Sequence, residues 1–112
     1  SFLIGLIPLR IPDERIILDP GIGFAKTYEQ NLEVMRHLDA IVALGYPVLL
    51  GTSRKSLIGL TLDLPVDERV EGTIATVVLG IAQGVDLVRV HDVKANVRAC
   101  RMADAIVRGR RS

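Results

Sequence analysis

Residues 47–56 read PVLLGTSRKS, a short apolar run that ends in a group of polar and charged residues. The same arrangement occurs twice more. RIILD at Arg15–Asp19 continues into PGIGFAK, and DLVRVH at Asp86–His91 ends on charged residues of its own. Short continuous apolar runs are typical of strands that are covered on both faces in a parallel sheet. We therefore predict three strands, at Arg15–Asp19, Pro47–Gly51 and Asp86–His91.

A helical pattern follows each predicted strand. The helices cover Thr27–Leu44, which opens on a capping-box pair, then about Asp67–Gln83 and about Lys94–Val107. The insert Thr52–Val66 has room for a short helical turn before the second helix. The positions predicted to face inward are Val34, Met35, Leu38, Ile41 and Val42, then Val70, Ile74, Val77, Val78 and Ile81, then Ala95, Ala99, Met102, Ala103 and Ile106.

This alternation of strand and helix predicts an α/β fold with parallel strands and right-handed crossovers. We expect the three strands to lie in chain order, with the helices on one side of the sheet. A doubly wound sheet and a (β/α)8 TIM barrel both fit, and an eight-unit barrel takes about 250 residues. Under the barrel interpretation, residues 1–112 form a single partial domain of about three βα units. Residues 1–10, SFLIGLIPLR, are an atypical start that could cover an exposed barrel edge.

Composition excludes several classes of protein. The 14 Lys and Arg residues nearly balance 13 Asp and Glu residues, so no basic face for nucleic acid is indicated. No window reaches the roughly 20 apolar residues that span a bilayer, and Ser1–Leu9 lacks the features of a signal peptide. The single cysteine, Cys100, is expected to be a core residue and suits a reducing, cytoplasmic setting.

Each predicted strand delivers polar residues at its carboxyl end, the edge where α/β enzymes build active sites. Asp19 has two interpretations: a turn residue that caps backbone N–H groups, or a carboxylate that accepts two parallel hydrogen bonds from a forked donor. Gly21 and Gly23 would let a flat ligand approach the backbone, and Phe24 could pack against an aromatic substrate.

The other two loops are cationic. Arg54 and Lys55 are either solvated surface cations or the partners of an anion. Arg89 and His91 lie two apart on one predicted strand, which favours an anion site, and we expect Asp92 to orient the His91 ring. The remaining histidine, His37, lies off the apolar stripe of its helix and is predicted to be exposed.

The motifs DPGIGFAK, GTSRKSLIG and VRVHDV, in this order, resemble the three C-terminal loop motifs of dihydropteroate synthases. The resemblance covers residues 11–108. It implies a (β/α)8 barrel of folate biosynthesis that joins dihydropterin methyl pyrophosphate to p-aminobenzoate and releases pyrophosphate. It also implies a homodimer that is a target of sulfonamides, which compete with p-aminobenzoate.

The resemblance also implies roles for individual residues. Asp19 would accept the pterin N2 and N3 hydrogens, and Lys55 would donate to the O4/N5 edge of the pterin. Arg89 and His91 would hold the pyrophosphate, which makes Lys55, Arg89 and His91 the catalytic residues. The p-aminobenzoate site would be bordered by Gly23, Phe24, Ser53, Arg54, Lys55 and Ser56.

The family's N-terminal half is expected to supply the ligand for Mg²⁺, further pterin contacts and two mobile loops, so the isolated chain is expected to be inactive. One alternative is a non-catalytic fragment that acts as a dimerisation half. Another is the related pterin-binding domain of corrinoid methyltransferases, which has no use for a pyrophosphate site. Arg54, Lys55, Arg89 and His91 argue against that second alternative.

Overall fold

The computed structural model describes residues 5–9, 16–23 and 26–109. In this part of the chain, three short strands alternate with five α-helices and one 3₁₀ turn. In chain order the elements are β1 (Gly5–Pro8), α1 (Tyr28–Arg36), α2 (Leu38–Val42), β2 (Leu49–Leu50), α3 (Ser56–Leu62), the 3₁₀ turn (Val66–Glu68), α4 (Val70–Ala82), β3 (Leu87–Val90) and α5 (Val93–Arg108).

The three predicted strand segments lie side by side in chain order. Leu18 forms a parallel bridge with Val48, and β2 pairs with β3 in parallel. The predicted parallel arrangement of these segments is therefore confirmed. Each ladder is shorter than predicted, and Arg15 lies outside the described residues.

The sheet as a whole is mixed, so the prediction of a purely parallel sheet is wrong. Strand β1 runs antiparallel to β3, with Gly5 opposite Val90 and Pro8 opposite Leu87. The cause is the unpaired edge of β3, whose backbone groups find partners in this apolar segment. The atypical start therefore covers a sheet edge, as its apolar sequence suggested.

The first predicted helix divides in two at His37, whose φ of −122° and ψ of 30° interrupt the helical path. The predicted capping box is present, because Thr27 Oγ1 accepts from the Gln30 N–H and Gln30 Oε1 accepts from the Thr27 N–H. Gln83 supports the break, since its side chain donates to the Met35 carbonyl and accepts from the Asp39 N–H.

The other helices differ from the prediction in detail. The insert holds α3, and α4 begins at Val70 because the preceding residues form the 3₁₀ turn. The inward face predicted for the last helix is confirmed at Ala103, which is buried, but it is wrong at Met102 and Ile106, which are 63% and 72% exposed. The buried face of α5 consists of Asn96, Cys100, Ala103 and Asp104.

The core lies between the sheet and these helices. The inward stripes of the first two predicted helices are confirmed, since Leu38, Val77 and Ile81 are buried and their neighbours on those stripes are partly buried. Among the helices that the structure describes, none has the length and apolar character needed to cross a bilayer. The core cluster contains Ile22, Leu38, Val48, Leu50, Leu57, Val77, Ile81, Val85, Val88, Val90, Cys100 and Ala103.

Candidate active site

The fold brings the three predicted loops together at one edge of the sheet. Lys55 Nζ of the second loop donates to the Ile22 carbonyl of the first loop at 2.6 Å. Arg89 of the third strand approaches Asp19 of the first loop, with 3.9 Å between Nη2 and Oδ2. Parallel strands in chain order place their carboxyl ends at the same edge, which is why residues distant in sequence meet here.

Asp19 serves as a turn residue and still presents a carboxylate oxygen to the site. Its Oδ1 accepts from the Gly21 N–H at 2.8 Å, and its Oδ2 faces Arg89. The side chain is 39% exposed. Both interpretations of Asp19 are therefore compatible with the geometry.

The glycine-rich loop is held by residues that the sequence did not single out. Gly23 has a φ of +86°, which favours glycine, and its N–H donates to Oδ1 of the buried Asn31 at 3.0 Å. Lys26 Nζ donates to the Gly21 carbonyl at 3.1 Å. The loop is thus fixed from two sides. Phe24 lies outside the described residues.

Lys55 lies under the first loop, close enough to Gly23 that a β-carbon there would be 3.3 Å from Lys55 Cδ. Burial lowers the pKa of the Lys55 ammonium, the Asp19 carboxylate opposes that shift, and the Arg89 guanidinium adds to it. Lys55 therefore gives up its proton more readily than an exposed lysine. Lys55 is thus close enough to Asp19 and Arg89 for both charges to act on its ammonium.

Arg89 crosses the end of β2 because residue 51 is glycine. A β-carbon on Gly51 would lie 2.8 Å from Arg89 Nη2, so a larger residue would displace the guanidinium. The Arg89 side chain is 41% exposed and faces Asp19 from the third strand. A cation and a carboxylate with solvent access are thus adjacent.

Ser53 and His91 form a pair across the sheet edge. The His91 backbone N–H donates to Ser53 Oγ at 2.8 Å, and Ser53 Oγ lies 2.9 Å from His91 Nδ1. Ser53 is buried, so its hydroxyl is turned to the histidine rather than to solvent.

Asp92 was predicted to orient the His91 ring, but its carboxylate pairs with Arg54 instead. Arg54 Nη2 donates to Asp92 Oδ1 at 2.9 Å and Nε donates to Oδ2 at 3.3 Å. This hydrogen bond lowers the pKa of the Asp92 carboxyl. Both residues have positive φ, an uncommon backbone conformation for residues other than glycine. Arg54 is thus half of an ion pair, not a solvated cation.

Arg69 is a further residue at the site that sequence reasoning missed. Its Nε donates to the Leu64 carbonyl at 2.9 Å, and its Nη1 donates to the Arg54 and Lys55 carbonyls at 2.9 and 3.4 Å. A β-carbon at Gly59 would overlap the Arg69 guanidinium. Arg69 lies within the predicted helix Asp67–Gln83 and off its apolar stripe, so nothing in the sequence marked it as a site residue.

Asn96 is the second missed residue. Its Nδ2 donates to the carbonyls of His91 and Asp92 at 3.2 Å each, so it fixes the chain just after the third strand. It lies four residues before Cys100 on the buried face of α5. That spacing was the available signal, but Asn96 is not among the positions predicted to face inward on this helix.

The remaining predictions have simple outcomes. Ser56 is exposed at the start of α3, and no side chain caps that helix. His37 is exposed as predicted, and its Nε2 lies 2.9 Å from Glu33 Oε1. Cys100 is buried as predicted. Within the described residues, no group of three or more His, Cys, Asp or Glu residues could hold a metal ion.

The fold and site define an α/β protein with a cationic, carboxylate-containing edge, and comparison with known proteins agrees with this class. The family model described as pterin binding enzyme matches residues 7–91. The chain belongs to that family. Its relatives are dihydropteroate synthases, so the resemblance carried by the three motifs is confirmed.

Three relatives illustrate the similarity. The dihydropteroate synthase of Clostridium beijerinckii is 67% identical over 99 residues, 88% of this chain and 37% of the relative. The structure of the Clostridium difficile synthase in the presence of pteroic acid has a TM-score of 0.83 at 61% identity, covering 86% of this chain and 36% of that one. The Thermus thermophilus synthase with 4-aminobenzoate has a TM-score of 0.77 at 46% identity, covering 80% and 37%. The chain thus spans little more than a third of the relatives it matches.

Proposed function

We propose that this chain forms part of the active site of a dihydropteroate synthase, which condenses dihydropterin methyl pyrophosphate with p-aminobenzoate and releases pyrophosphate. In this proposal residues 1–112 are one partial domain of a (β/α)8 barrel in the cytoplasm. The observation that carries it is the meeting of Asp19, Lys55 and Arg89 at one sheet edge. High similarity to synthases seen with pteroic acid and with 4-aminobenzoate supports the choice of substrates.

The charges at the edge suit the two ends of the first substrate. Asp19 would accept the N2 and N3 hydrogens of the pterin, because a carboxylate matches a forked donor. Lys55 would donate to the O4/N5 edge from its position beneath the first loop. Arg89 and His91 would hold the pyrophosphate.

The chemistry assigned to this edge is the departure of an anion. As the bond from the pterin methylene carbon to pyrophosphate oxygen breaks, negative charge grows on the leaving group and positive charge on the pterin methylene. Hydrogen-bond donors at Arg89 and His91 would stabilise the leaving anion as its charge grows. The arylamine of p-aminobenzoate then attacks the methylene carbon, and the proton that the new C–N bond displaces passes to the released pyrophosphate or to water. The arylamine is already a nucleophile, so no strong base is required.

The p-aminobenzoate site is proposed to be bordered by the first and second loops, at Gly23, Phe24, Ser53, Arg54, Lys55 and Ser56. The contacts reported above restrict how they could act. Ser53 and Arg54 use their side chains within the protein, and Lys55 Nζ already donates to the Ile22 carbonyl at 2.6 Å. Ser56 is exposed, so its hydroxyl meets the ligand most readily among the polar side chains of this set.

The described residues do not fit a magnesium site, so no step is assigned to a metal here. We propose that any ligand for Mg²⁺ lies in the part of the relatives that this chain does not match. By the same reasoning, the chain alone is expected to show no synthase turnover, because orientation of both substrates needs the rest of the cradle.

Two other functions are alternatives that experiment can distinguish from the synthase. A non-catalytic dimerisation half is favoured by exposed apolar side chains on α4 and α5, among them Leu79, Met102 and Ile106. These residues also support a homodimer of the synthase, and sedimentation that shows a stable monomer at micromolar concentration would contradict both. A corrinoid methyltransferase domain would share Asp19 but would not need the cations that follow it.

Titration of the chain with pteroic acid tests the proposal. Asp19→Asn removes the charged acceptor and should weaken binding about tenfold or more, since hydrogen bonds to charged groups are worth about 1.5–3 kcal/mol. His37→Ala, on the exposed face of its helix, should change nothing. Equal affinity of Asp19→Asn and the unaltered chain would overturn the pterin assignment.

A sulfate titration tests the anion site separately. Weak binding that falls as salt is added is expected near Arg54, Lys55, Arg89 and His91, because exposed charges are screened over about 8 Å at physiological ionic strength. Arg89→Ala should weaken it. Synthase turnover by the chain alone would overturn the proposal that the site is divided.

A further inference from the structure

We propose that Ser53 holds the neutral His91 ring in the tautomer that carries its hydrogen on Nε2, so that His91 presents a hydrogen-bond donor at the site. Ser53 then acts as a positioning residue for His91, not as a contact for p-aminobenzoate. The consequence for anion binding rests on the proposed function, whereas the tautomer itself does not.

The geometry consists of two hydrogen bonds to one oxygen. The His91 backbone N–H has a single hydrogen and donates it to Ser53 Oγ at 2.8 Å. The same oxygen lies 2.9 Å from His91 Nδ1. Because the first bond fills one lone pair of the oxygen, the direction of the second depends on the hydroxyl hydrogen.

The available hydrogens decide whether Ser53 Oγ donates to His91 Nδ1 or accepts from it. If Nδ1 is unprotonated, the Ser53 hydroxyl donates to it, and the hydroxyl, Nδ1 and the His91 backbone N–H all have partners. If Nδ1 carries the hydrogen, Ser53 Oγ accepts twice and its own hydrogen needs another acceptor. Among the described residues Ser53 has no hydrogen bond beyond the two to His91, and it is only 8% exposed. A buried hydroxyl without an acceptor is disfavoured, so the first arrangement is preferred.

The surroundings also favour the neutral ring. Burial lowers the pKa of His91, the Arg54 guanidinium lowers it further, and the Asp92 carboxylate opposes both. Asp92 makes two hydrogen bonds with Arg54, and among the described residues it has none to the ring. The ring therefore stays uncharged to a lower pH than an exposed histidine.

The tautomer determines what a ligand meets. The two nitrogens lie on opposite sides of Cε1, so Nε2 points away from Ser53, and the described residues give it no hydrogen-bond partner. An Nε2–H group there donates to an anion whether or not the ring is protonated. The other tautomer would present a lone pair, and anion binding would be lost as the ring deprotonates.

Nitrogen NMR of the ¹⁵N-labelled chain tests this directly. Two-bond couplings from the ring carbon hydrogens distinguish a protonated from an unprotonated ring nitrogen in each histidine. We expect His91 above its pKa to show Nδ1 unprotonated and Nε2 protonated. The exposed His37 is the internal control, and His37→Asn assigns the signals. A wild-type His91 with its hydrogen on Nδ1 overturns the proposal without any variant.

Two variants test the role of Ser53. Ser53→Ala should abolish the strong preference and give a mixture of tautomers, whereas Ser53→Thr, which keeps the hydroxyl, should retain the Nε2–H form. An unchanged tautomer in a folded Ser53→Ala chain overturns the proposal. If that variant does not fold, the wild-type spectrum and Ser53→Thr decide.

Measuring sulfate affinity as a function of pH tests the role of His91 as an anion donor separately from its tautomer. Sulfate keeps its charge from pH 5 to 8, so any change reports on the protein. Binding should persist above the pKa of His91, and its loss there would overturn the donor role. If His91 has the expected tautomer but sulfate does not bind at any pH, the anion site under the proposed function fails and the tautomer stands.

Discussion

Arg54 and Asp92 form a two-point ion pair that ties the second loop to the end of the third strand. Nη2 and Nε of the arginine donate to the two carboxylate oxygens, at 2.9 and 3.3 Å, from residues 38 apart in the chain. The planar guanidinium matches the carboxylate in a way that lysine does not. The pair therefore fixes the relative position of two site loops before any ligand arrives.

The ion pair between Arg54 and Asp92 should break at acidic pH. The hydrogen bond from Arg54 lowers the pKa of Asp92 from its ordinary value of 3.8. A depressed pKa in the folded state contributes stability that is present above 3.8 and is lost as the pH falls through the folded value. The difference in free energy of unfolding between the wild type and Asp92→Asn should thus be constant at neutral pH and shrink below about pH 4. Urea unfolding between pH 2.5 and 7 measures this difference in free energy. A difference that stays constant over the whole range would contradict the assignment. Glu71→Gln, at an exposed position, serves as the control.

Arg69→Lys should loosen the second loop. Lysine cannot reproduce the contacts that the guanidinium makes with the carbonyls of Leu64, Arg54 and Lys55, and groups left unpaired cost about 1–3 kcal/mol. Urea unfolding should show this loss, and hydrogen exchange at the Lys55 amide should accelerate. Arg101→Lys, on the exposed side of α5, should stay within about 0.5 kcal/mol of the wild type. Equal exchange in both variants would exclude a clamping role for Arg69.

Gly51→Ala should move Arg89 without unfolding the chain. The new β-carbon would meet the end of a flexible, partly exposed guanidinium, so the side chain can swing away. Stability should change by less than about 1 kcal/mol, and sulfate affinity should fall. The test is a double-mutant cycle with Arg89→Ala, in which Gly51→Ala should have no further effect on sulfate. A further loss in that background would show that glycine is needed for another reason.

Cys100 should resist thiol reagents in the folded state. Burial raises the pKa of its thiol to about 11, so little reactive thiolate exists at pH 8. Labelling should be slow in buffer and fast in urea. Because the folded pKa lies above the ordinary 9.0, this residue contributes stability that is present below pH 9 and is lost as the pH rises toward 11. Cys100→Ala should remove that part of the alkaline loss, and rapid native labelling would contradict the buried position.

The repeating pattern of the chain predicted the strand segments and most helix faces because burial imposes a local period. Leu18, Val48 and the β2–β3 pairs follow from apolar runs alone. The antiparallel β1 did not, since pairing depends on which edge is open and not on the segment's own sequence. The face of α5 was misassigned because Asn96 and Asp104 are buried by specific partners.

The location of the site could be predicted from the sequence, but the contacts within it could not. Polar residues at three strand ends indicated the edge, and the motif resemblance named the family. Which side chains pair there depends on the conformation of the loops. Arg54 and Asp92, both with positive φ, form an ion pair, and Ser53 hydrogen-bonds to His91. The sequence suggested that neighbouring residues would pair with each other. The observed partners are far apart in the chain, so the sequence alone did not indicate them.

The antiparallel course of β1 has a practical consequence for handling the protein. Gly5 lies opposite Val90, one residue from His91, so the start of β1 is at the site end of the sheet. At the other extreme, Arg108 donates to the Val85 carbonyl at 2.7 Å, which anchors the last turn of α5 near the beginning of β3. A bulky label on Gly5 would therefore lie beside the ligand-facing edge, whereas a label on the last turn of α5 leaves that edge open.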